Sequence, residues 1–394
     1  MDLYKIVEDK LTNIHDELCL YIEQENYESG KLGLLDGLSG IALFFTEHYK
    51  LTGNEKSKEN IDKIIRIILK SISSNGVIDS TFCSGLSGIG WLFEYLELSQ
   101  IEQMKPIMAS FDNRILQFST CQFLLKNYDL ISGGLGGGMY FLRKKMNNSQ
   151  ITEGQICQII ENLEKISTET DNLLFWCKYK NQNRIDLGMA HGLTSILSYL
   201  NKVSTYSSIL NERISKIVYS FRNFSQKYDE IGSFWSYDIN VELTENVPIK
   251  SRLAWCYGDI STALTILSSS KLNKLHSFEL FAIEVLDKNI LRVNLEENGI
   301  FDATICHGAS GIALIYKKAF HLTGFDRYKK CADYWLLKII DFSEKGTDKS
   351  GFDFFNGEFY SHELSLLEGI AGIGLVMCSF LAETSTSWEE VLLL

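Results

Sequence analysis

The stretch DGLSGIALFF, residues 36–45, is the first of a set of related segments that decide the fold. Further segments of this kind start at Ser84, Gly133, His191, Tyr257, His307 and Glu368. Aligned without gaps, the segments share a glycine at Gly37, Gly85, Gly134, Gly192, Gly258, Gly308 and Gly369. A unit of roughly fifty to sixty-five residues that recurs seven times is the signature of a repeat architecture.

Each segment predicts a buried helix, and the sequence between segments predicts a surface helix. After its Gly/Ser/Ala-rich start, each segment is apolar on nearly all sides, which is typical of a helix without a solvent face. The intervening stretches NIDKIIRIILKSISS (60–74) and LNERISKIVYSFRNF (210–224) have one apolar stripe and one charged face. The predicted unit is therefore outer helix, loop and inner helix, with small residues that let neighbouring inner helices approach closely.

Seven such units can stack as an open superhelix or close into a ring. An open array needs polar capping repeats at its ends, but here the first and last copies are as apolar as the middle ones. The sequence therefore predicts an all-α fold: an α/α toroid, or double barrel, of seven inner and seven outer helices in a single domain over residues 1–394. In such a ring all the motif loops meet at one end and face one cavity. The segment at about 225–250 alternates aromatic and polar residues and predicts a small β-containing lid or insertion.

The bulk composition restricts the class of protein. A formal charge of −12 disfavours a nucleic-acid partner, because such partners are bound largely by neutralising phosphates. The sequence has no apolar run long enough for a transmembrane span, and its start is an acidic amphipathic pattern rather than a signal peptide. Nine cysteines at irregular spacing favour free thiols in a reducing cytoplasm over a disulfide framework. We therefore expect a cytoplasmic protein.

Two motif loops carry candidate metal ligands. LAWCYGDIS (253–261) contains Cys256, and ATICHGASG (303–311) contains Cys306 and His307. If the loops converge, two thiolates and one imidazole suit zinc, and the lack of a CxxC pair favours an open catalytic site over a closed structural one. The alternative is that the cysteines are small core residues. We interpret Cys83, which also precedes its glycine by two residues, and Cys331 as structural.

Other polar residues enter the same loops. His191 is in register with His307 and is a candidate for proton transfer, or else a hydrogen-bonded core histidine. Asp129 is a candidate to orient a histidine or bind a charged group, or else a turn or helix-cap residue. Arg252 is a candidate oxyanion stabiliser, or else a solvated loop charge. We interpret three further acidic residues as helix N-caps: Asp36, Asp259 and Glu368.

With these motifs in hand, the chain resembles the lanthionine synthetase C-like family, the lanthipeptide cyclases. The resemblance runs from Gly37 to Gly374, and a paired WCYG and CHG within a sevenfold repeat is highly specific. The motifs that carry it are RLAWCYG (252–258), CHG (306–308), GMAHG (188–192), YDLISG (128–133) and LLEGIAGIGL (366–375). The chain departs from the repeat pattern at Ser195 and Ser261, where glycine would be usual, which leaves the helix packing there in question.

The resemblance implies a toroid with Zn²⁺ at its mouth. The family's zinc ligands correspond to Cys256, Cys306 and His307. Its catalytic residues correspond to His191, Asp129 and Arg252. The implied reaction is the intramolecular Michael addition of a cysteine thiolate to a dehydroalanine or dehydrobutyrine, which closes a thioether ring in a precursor peptide. His191 would be the acid, Arg252 or the metal would stabilise the enolate, and Asp129 would orient His191.

The resemblance also implies partners and leaves alternatives. A chain without a dehydratase domain resembles the standalone cyclases, so the expected partners are a dehydrated precursor peptide with its leader, a separate dehydratase and a membrane transporter complex. The expected location is the cytoplasm, with peripheral association to such a complex. The alternatives are a family member that transfers glutathione or another thiol, a prenyltransferase β-subunit, and a peptide-binding toroid whose metal site is vestigial.

Overall fold

The computed structural model describes residues 3–25, 31–75, 79–147, 152–178, 183–204, 210–243, 246–344, 346, 348–382 and 386–394. Its helices are α1 (Leu3–Glu23), α2 (Leu38–Thr52), α3 (Glu55–Asn75), α4 (Leu86–Tyr95), α5 (Lys105–Leu124), α6 (Gly134–Met146), α7 (Thr152–Lys165), α8 (Leu193–Ser204), α9 (Leu210–Asn223), α10 (Tyr228–Ile231), α11 (Asp259–Leu272), α12 (His276–Ile290), α13 (Ala309–Thr323), α14 (Asp326–Phe342) and α15 (Ile370–Leu381). Short 3-10 helices lie at Leu98–Gln100, Glu102–Met104, Glu296–Asn298 and Trp388–Leu392.

The strands are short and form three separate two-stranded antiparallel sheets in the described part of the chain. They are β1 (Thr168–Glu169), β2 (Leu174–Phe175), β3 (Arg184–Asp186), β4 (Asp238–Asn240), β5 (Phe354–Phe355) and β6 (Tyr360–Ser361). The pairs are β1 with β2, β3 with β4, and β5 with β6. The all-α prediction is confirmed, since these strands lie only in the connections.

Each repeated segment begins an inner helix. The inner helices are α2, α4, α6, α8, α11, α13 and α15, and the remaining long helices surround them. All residues of α4 are buried, as expected for a helix that is apolar all round. By contrast, α3 and α9 bury one stripe and expose the opposite face. The division into inner and outer helices follows directly from the two hydrophobic patterns.

The ring of inner helices is closed. Each inner helix contacts the next one along the chain, and α15 contacts α2. The N-terminal helix α1 packs on α15 and also contacts α3 and α14, so it lies across the junction between the two ends of the chain. The toroid prediction is confirmed. Outer and inner helices alternate along the chain from outer helix α1 onward, and inner helices α2, α11 and α13 pack mainly on the outer helix that follows them.

Glycines allow the loops to press against the inner helices. A Cβ atom added to Gly88, in the first turn of α4, would lie 2.2 Å from the Phe82 carbonyl oxygen and 2.7 Å from Leu34 Cβ of the preceding repeat. Only hydrogen fits at this point. At the corresponding places in α8 and α11, Ser195 and Ser261 are fully buried. Ser195 Oγ donates to the Gly192 carbonyl oxygen, 2.7 Å away. This hydrogen bond satisfies the buried hydroxyl, so a serine can stand where most repeats have glycine.

The register of the third repeat differs from the gapless alignment by one residue. Helix α6 begins at Gly134, whereas α2 begins one residue after Gly37. The N-cap of α6 is Gly133, so Gly133 and not Gly134 is the equivalent of Gly37. Three consecutive glycines follow Leu135 and make the sequence register ambiguous. Only the position of the helix start resolves it.

The segment at about 225–250, for which a small β-containing lid or insertion was predicted, is joined to the preceding repeat by a strand pair. It contains α10 and β4, and β4 pairs with β3, which lies outside the segment. Buried Asp259 anchors the segment, because the Asp259 carboxylate accepts the backbone N–H groups of Phe234 and Trp235 at 2.9–3.1 Å.

The N-cap interpretation of Asp36, Asp259 and Glu368 was wrong, since the caps of these helices are the glycines Gly37, Gly258 and Gly369. No helix in the described ranges combines the length and apolarity that a membrane span requires.

Candidate metal centre and active site

A ring of backbone hydrogen bonds holds the motif loops together at one end of the toroid. The residues involved lie two positions before the N-cap glycine of their helix: Leu35, Cys83, Ile131, Ala190, Cys256, Cys306 and Leu367. The N–H of each donates to the carbonyl of the next at 3.0–3.2 Å, and Leu367 closes the ring onto Leu35. At one junction Ile131 N–H donates instead to the Asp129 carboxylate, at 2.8 Å. Equivalent positions of neighbouring repeats are thus side by side.

This ring explains why two distant cysteines meet. Cys256 and Cys306 occupy the same position in adjacent repeats, and Cys256 N–H donates to the Cys306 carbonyl at 3.1 Å. His307 follows directly, and the ligand atoms of these three side chains lie within 4.8 Å of one another. Gly258, with φ at +113°, lets the chain turn sharply after Cys256, in a conformation that a side chain would strain. The structure therefore brings the three predicted ligands together.

The two cysteines border a cavity of about 600 Å³ that the motif loops share. Cys256, Cys306, His191 and Arg252 all line it. Its wall includes residues from every repeat, among them Asp36, Cys83, Ile131, Tyr257 and Glu368. Cys83 therefore lines the cavity as well as packing against the core. Burial raises the pKa of the Cys83 thiol to about 12, so that it stays protonated at neutral pH.

His191 and Asp129 form a direct pair at the cavity wall. His191 Nδ1–H donates to Asp129 Oδ2 at 2.5 Å, and Asp129 Oδ1 accepts the N–H groups of Ile131 and Ser132 at 2.8 and 2.7 Å. Asp129 thus both builds a turn and orients a histidine. Burial by itself would lower the pKa of His191, but the hydrogen bond and the charge of Asp129 outweigh it and raise that pKa. The imidazole is half-exposed to the cavity, with Nε2 on the ring edge opposite Asp129.

The paired cysteines differ strongly in their electrostatics. The hydrogen bond from Cys306 lowers the pKa of Cys256 in spite of burial, and neighbouring His307 and Arg252 act in the same direction. The hydrogen bond to Cys256, together with burial, raises the pKa of Cys306. Protonation of one thiol therefore supports the other as a thiolate. A cation placed between them would favour the thiolate form of both.

The three donor atoms of Cys256, Cys306 and His307 are chemically suited to a soft or borderline metal ion. Two sulfurs and one imidazole nitrogen are zinc ligands, and ligand atoms around zinc lie about 3.5–4 Å apart, given bonds of about 2.0–2.3 Å. The upper bound of 4.8 Å between the three side chains is compatible with this spacing. They can hold a metal ion with a fourth position open to the cavity.

Sequence reasoning missed several polar residues of this site. Tyr257 lines the cavity, and its hydroxyl donates to Asp186 Oδ2 at 2.9 Å. Tyr257 directly precedes its glycine, as His191 and His307 do, and that register was a signal for it. Asp186 is almost fully buried, and burial raises its pKa. Only the fold shows which residue Asp186 contacts.

The fold and the site together define a class of protein, the closed α/α toroids with a Cys–Cys–His cluster at one end. The family described as lanthionine synthetase C-like protein matches residues 28–393. The chain belongs to this family. It is also 27% identical over 404 aligned positions to the nisin biosynthesis protein NisC of Lactococcus lactis subsp. lactis, an alignment that covers 94% of this chain and 91% of NisC.

Solved structures show the same fold. A nisin cyclase superposes with a TM-score of 0.78 at 21% identity, over 97% of this chain and 96% of that chain. An α-1,6-mannanase of Salegentibacter superposes with a TM-score of 0.52 at 10% identity, over 97% of this chain and 100% of that chain. At these identities the likeness concerns the fold alone. The toroid is therefore shared with an enzyme of unrelated chemistry, and function has to be argued from the site.

Proposed function

We propose that the protein is a zinc-dependent lanthipeptide cyclase. The reaction is the intramolecular addition of a cysteine thiol across the Cα=Cβ bond of a dehydroalanine or dehydrobutyrine in the same peptide. The sulfur forms a bond to Cβ, the thiol proton leaves, and Cα receives a proton, so that the product is an isomer of the substrate. Zinc, when bound by Cys256, Cys306 and His307, lowers the pKa of the incoming thiol and supplies a thiolate near neutral pH.

The remaining polar residues of the cavity handle the proton and the developing charge. His191, held by Asp129 through Nδ1, has Nε2 free to deliver a proton to the enolate carbon. The raised pKa of His191 keeps the imidazole protonated to higher pH, as an acid requires. Arg252 supplies positive charge for the enolate oxygen. The observation that carries the proposal is the cluster of Cys256, Cys306 and His307, whose two cysteines line the same cavity as His191, the histidine that Asp129 holds.

A dehydrated peptide is the substrate that this chemistry requires. Dehydration of serine and threonine must come from a separate dehydratase reaction, because the site described here adds a thiol and removes no water. We propose that a leader-bearing precursor peptide is the substrate, that a dehydratase and a transporter complex are partners, and that the enzyme works in the cytoplasm. The net charge of −12 suits a basic peptide.

The test measures zinc and ring closure in the same samples. Cyclisation leaves the mass unchanged but consumes thiols, so it is followed by the loss of N-ethylmaleimide adducts on a dehydrated precursor peptide. We expect Cys306→Ala to lose stoichiometric zinc and all turnover. His191→Asn keeps zinc but closes rings about 10²–10⁴-fold more slowly, because it removes the acid. Cys83→Ala, at the same ring position in another repeat, is the matched control and keeps its zinc.

Three results would contradict the proposal. One is wild-type protein without stoichiometric zinc by elemental analysis. Another is His191→Asn that cyclises at the wild-type rate, which would remove the histidine from the mechanism. The third is a preference for added glutathione, seen as a mass increase of the dehydrated peptide, which would identify a thiol transferase instead.

A further inference from the structure

Two aspartates near the cavity divide their carboxylate oxygens in the same way. Asp129 uses Oδ1 to accept backbone N–H groups of its own turn and Oδ2 to hold His191. Asp186 uses Oδ1 to accept the Gly188 N–H at 2.9 Å and Oδ2 to accept the Tyr257 hydroxyl at 2.9 Å. In both cases one oxygen builds the loop, and the other fixes a side chain that faces the cavity.

Asp302 has a related arrangement beside the candidate metal ligands, in which the second oxygen bonds a backbone N–H and faces a histidine. Its Oδ1 accepts the N–H and the hydroxyl of Thr304 at 2.9 and 2.7 Å. Its Oδ2 accepts the Phe355 N–H at 3.0 Å and lies 3.8 Å from Nε2 of His307. The Phe355 carbonyl oxygen lies 3.5 Å from the same nitrogen. The Asp302 side chain is fully buried, so its charge acts on His307 with little screening by water.

We propose that Asp302 is a positioning residue that holds His307 in the metal-binding orientation. The inference rests on the proposed zinc site. Asp302 and the Phe355 carbonyl both face Nε2, which keeps the proton on that nitrogen and leaves the lone pair on Nδ1 for the metal. Asp302 also acts through Phe355, because it fixes the backbone whose carbonyl faces His307. An imidazole ligand whose second nitrogen meets a carboxylate or carbonyl is held in one tautomer and binds its metal more tightly.

The chain offers a matched control for the turn itself. Asp79 occupies the same place in the second repeat, six residues before Gly85, as Asp302 does before Gly308. Asp79 Oδ1 accepts the N–H and the hydroxyl of Thr81 at 2.7 and 2.6 Å, as Asp302 Oδ1 does with Thr304. Asp79 is exposed at the surface. A change at Asp79 therefore probes the turn without His307.

The experiment compares zinc affinity in Asp302→Asn, Asp79→Asn and the wild type, by competition with a chromophoric chelator. In Asp302→Asn the amide oxygen can still accept the turn N–H, but the NH₂ group then faces two other donors, Phe355 N–H and His307 Nε2–H. We expect zinc affinity to fall about 10–100-fold and the absorption of the cobalt(II)-substituted protein to shift. Asp302→Ser, which keeps an acceptor for the turn and removes the outer oxygen, gives the same loss. Asp79→Asn keeps the wild-type affinity and spectrum.

The outcomes separate this role from the proposed function. Wild-type zinc affinity and an unchanged cobalt(II) spectrum in both Asp302 variants would overturn the positioning role and leave the zinc enzyme intact. An equal loss of zinc in Asp79→Asn would also overturn it, because the effect would then belong to the turn. A wild-type protein that binds no zinc would overturn the proposed metal chemistry together with this role.

Discussion

At the scale of single residues, the site depends on side chains that bridge neighbouring repeats. The backbone ring continues from repeat to repeat except between Ile131 and Ala190, where Ile131 N–H turns to Asp129. The Asp129–His191 hydrogen bond spans this same junction. Among the residues that the structure describes, this is the one junction without a backbone hydrogen bond of the ring. The Asp129–His191 side-chain pair links the two loops there instead.

The pH dependence of ring closure tests this pair. If His191 is the acid, activity is present below its pKa and is lost as the pH rises through it. In Asp129→Asn the influences that raise the His191 pKa are weakened and burial, which lowers it, remains, so the alkaline limb of kcat moves to lower pH. Single-turnover rates between pH 5.5 and 9 measure the shift. An alkaline limb at the wild-type position would show that His191 is not the group that titrates.

At the scale of secondary-structure elements, the first turn of inner helix α4 is tightly packed against its neighbours. Gly88 lies within 2.7 Å of Leu34 Cβ, measured from an added Cβ atom, so the loop of one repeat rests directly on the helix of the next. By contrast, an added Cβ on Gly154, in outer helix α7, has no atom within 4 Å. The two glycines therefore have opposite roles although both are helical.

Alanine at these two glycines distinguishes the roles. In Gly88→Ala the added methyl group pushes the Phe82 carbonyl and Leu34 away from helix α4. The substitution should therefore lower the free energy of unfolding by about 1–3 kcal/mol. Gly154→Ala removes backbone entropy from the unfolded chain at an open site and should raise stability by about 0.5–1 kcal/mol. Urea unfolding followed by circular dichroism measures both. Equal effects of the two variants would contradict the tight packing of the inner helix.

A pair of buried histidines makes the seam between α1 and α2 sensitive to acid. His15 and His48 stack with ring centroids 4.2 Å apart, and the Ser57 hydroxyl lies 3.1 Å and 2.9 Å from their nitrogens. Burial lowers the pKa of His48 to about 4 and lowers that of His15 as well. Both rings are thus neutral in the folded protein at neutral pH.

This pair predicts how stability depends on pH. The unfolded chain takes up protons at pH 6.5 and below, whereas the folded His48 does not until about pH 4. Its contribution is complete above pH 6.5 and is lost as the pH falls toward 4, by up to about 3 kcal/mol. The raised pKa of His362, which Glu17 supports, acts in a different window, above pH 6.5.

Urea midpoints at pH 7.5 and pH 5 measure the effect. We expect His48→Gln to reduce the difference between the two midpoints, because it removes one of the groups whose protonation favours the unfolded chain. His276→Gln, at an exposed histidine, is the control and should leave the difference unchanged. A wild-type difference that persists in His48→Gln would assign the acid sensitivity to other groups.

At the scale of the whole molecule, helix α1 covers the junction at which the ring closes. Its buried stripe consists of Val7, Leu11, Ile14, Leu18 and Ile22, each at most 2% exposed. Full burial of five such side chains contributes roughly 8–15 kcal/mol before the cost of ordering the helix. Ile14 reaches α15 directly, since its Cγ2 lies 3.2 Å from a Cβ atom added to Gly374. The first helix therefore completes the last repeat.

Closure of this kind predicts cooperative unfolding of the whole chain. Ile14→Ala should lower the free energy of unfolding by about 2–5 kcal/mol, and tryptophan fluorescence and far-ultraviolet circular dichroism should still report one coincident transition. Leu20→Ala, on the exposed face of the same helix, should change stability by less than about 0.5 kcal/mol. An early transition of α1 alone, with an unchanged tryptophan signal, would contradict a single closed unit.

The sequence by itself determined the repeat, the separation of inner from outer helices and the closure of the ring. These follow from local hydrophobic periodicity and from the apolar character of the first and last copies, both of which are readable along the chain. The same register identified Cys256, Cys306, His307 and His191 as residues of one end of the toroid. Each of them lies one or two positions before a repeated glycine.

The tertiary structure alone decided the register of the third repeat, the pairing of α1 with α15, and the partners of Asp186 and Asp302. Asp302 is 53 residues from Phe355, and Asp186 is 71 residues from Tyr257. Contacts between residues so far apart in sequence leave no periodic signal. Each aspartate also accepts an N–H group of its own turn, so the sequence around it indicates only a turn residue. Which side chain its second oxygen holds depends on the neighbouring repeat, and that neighbour is fixed only when the ring closes.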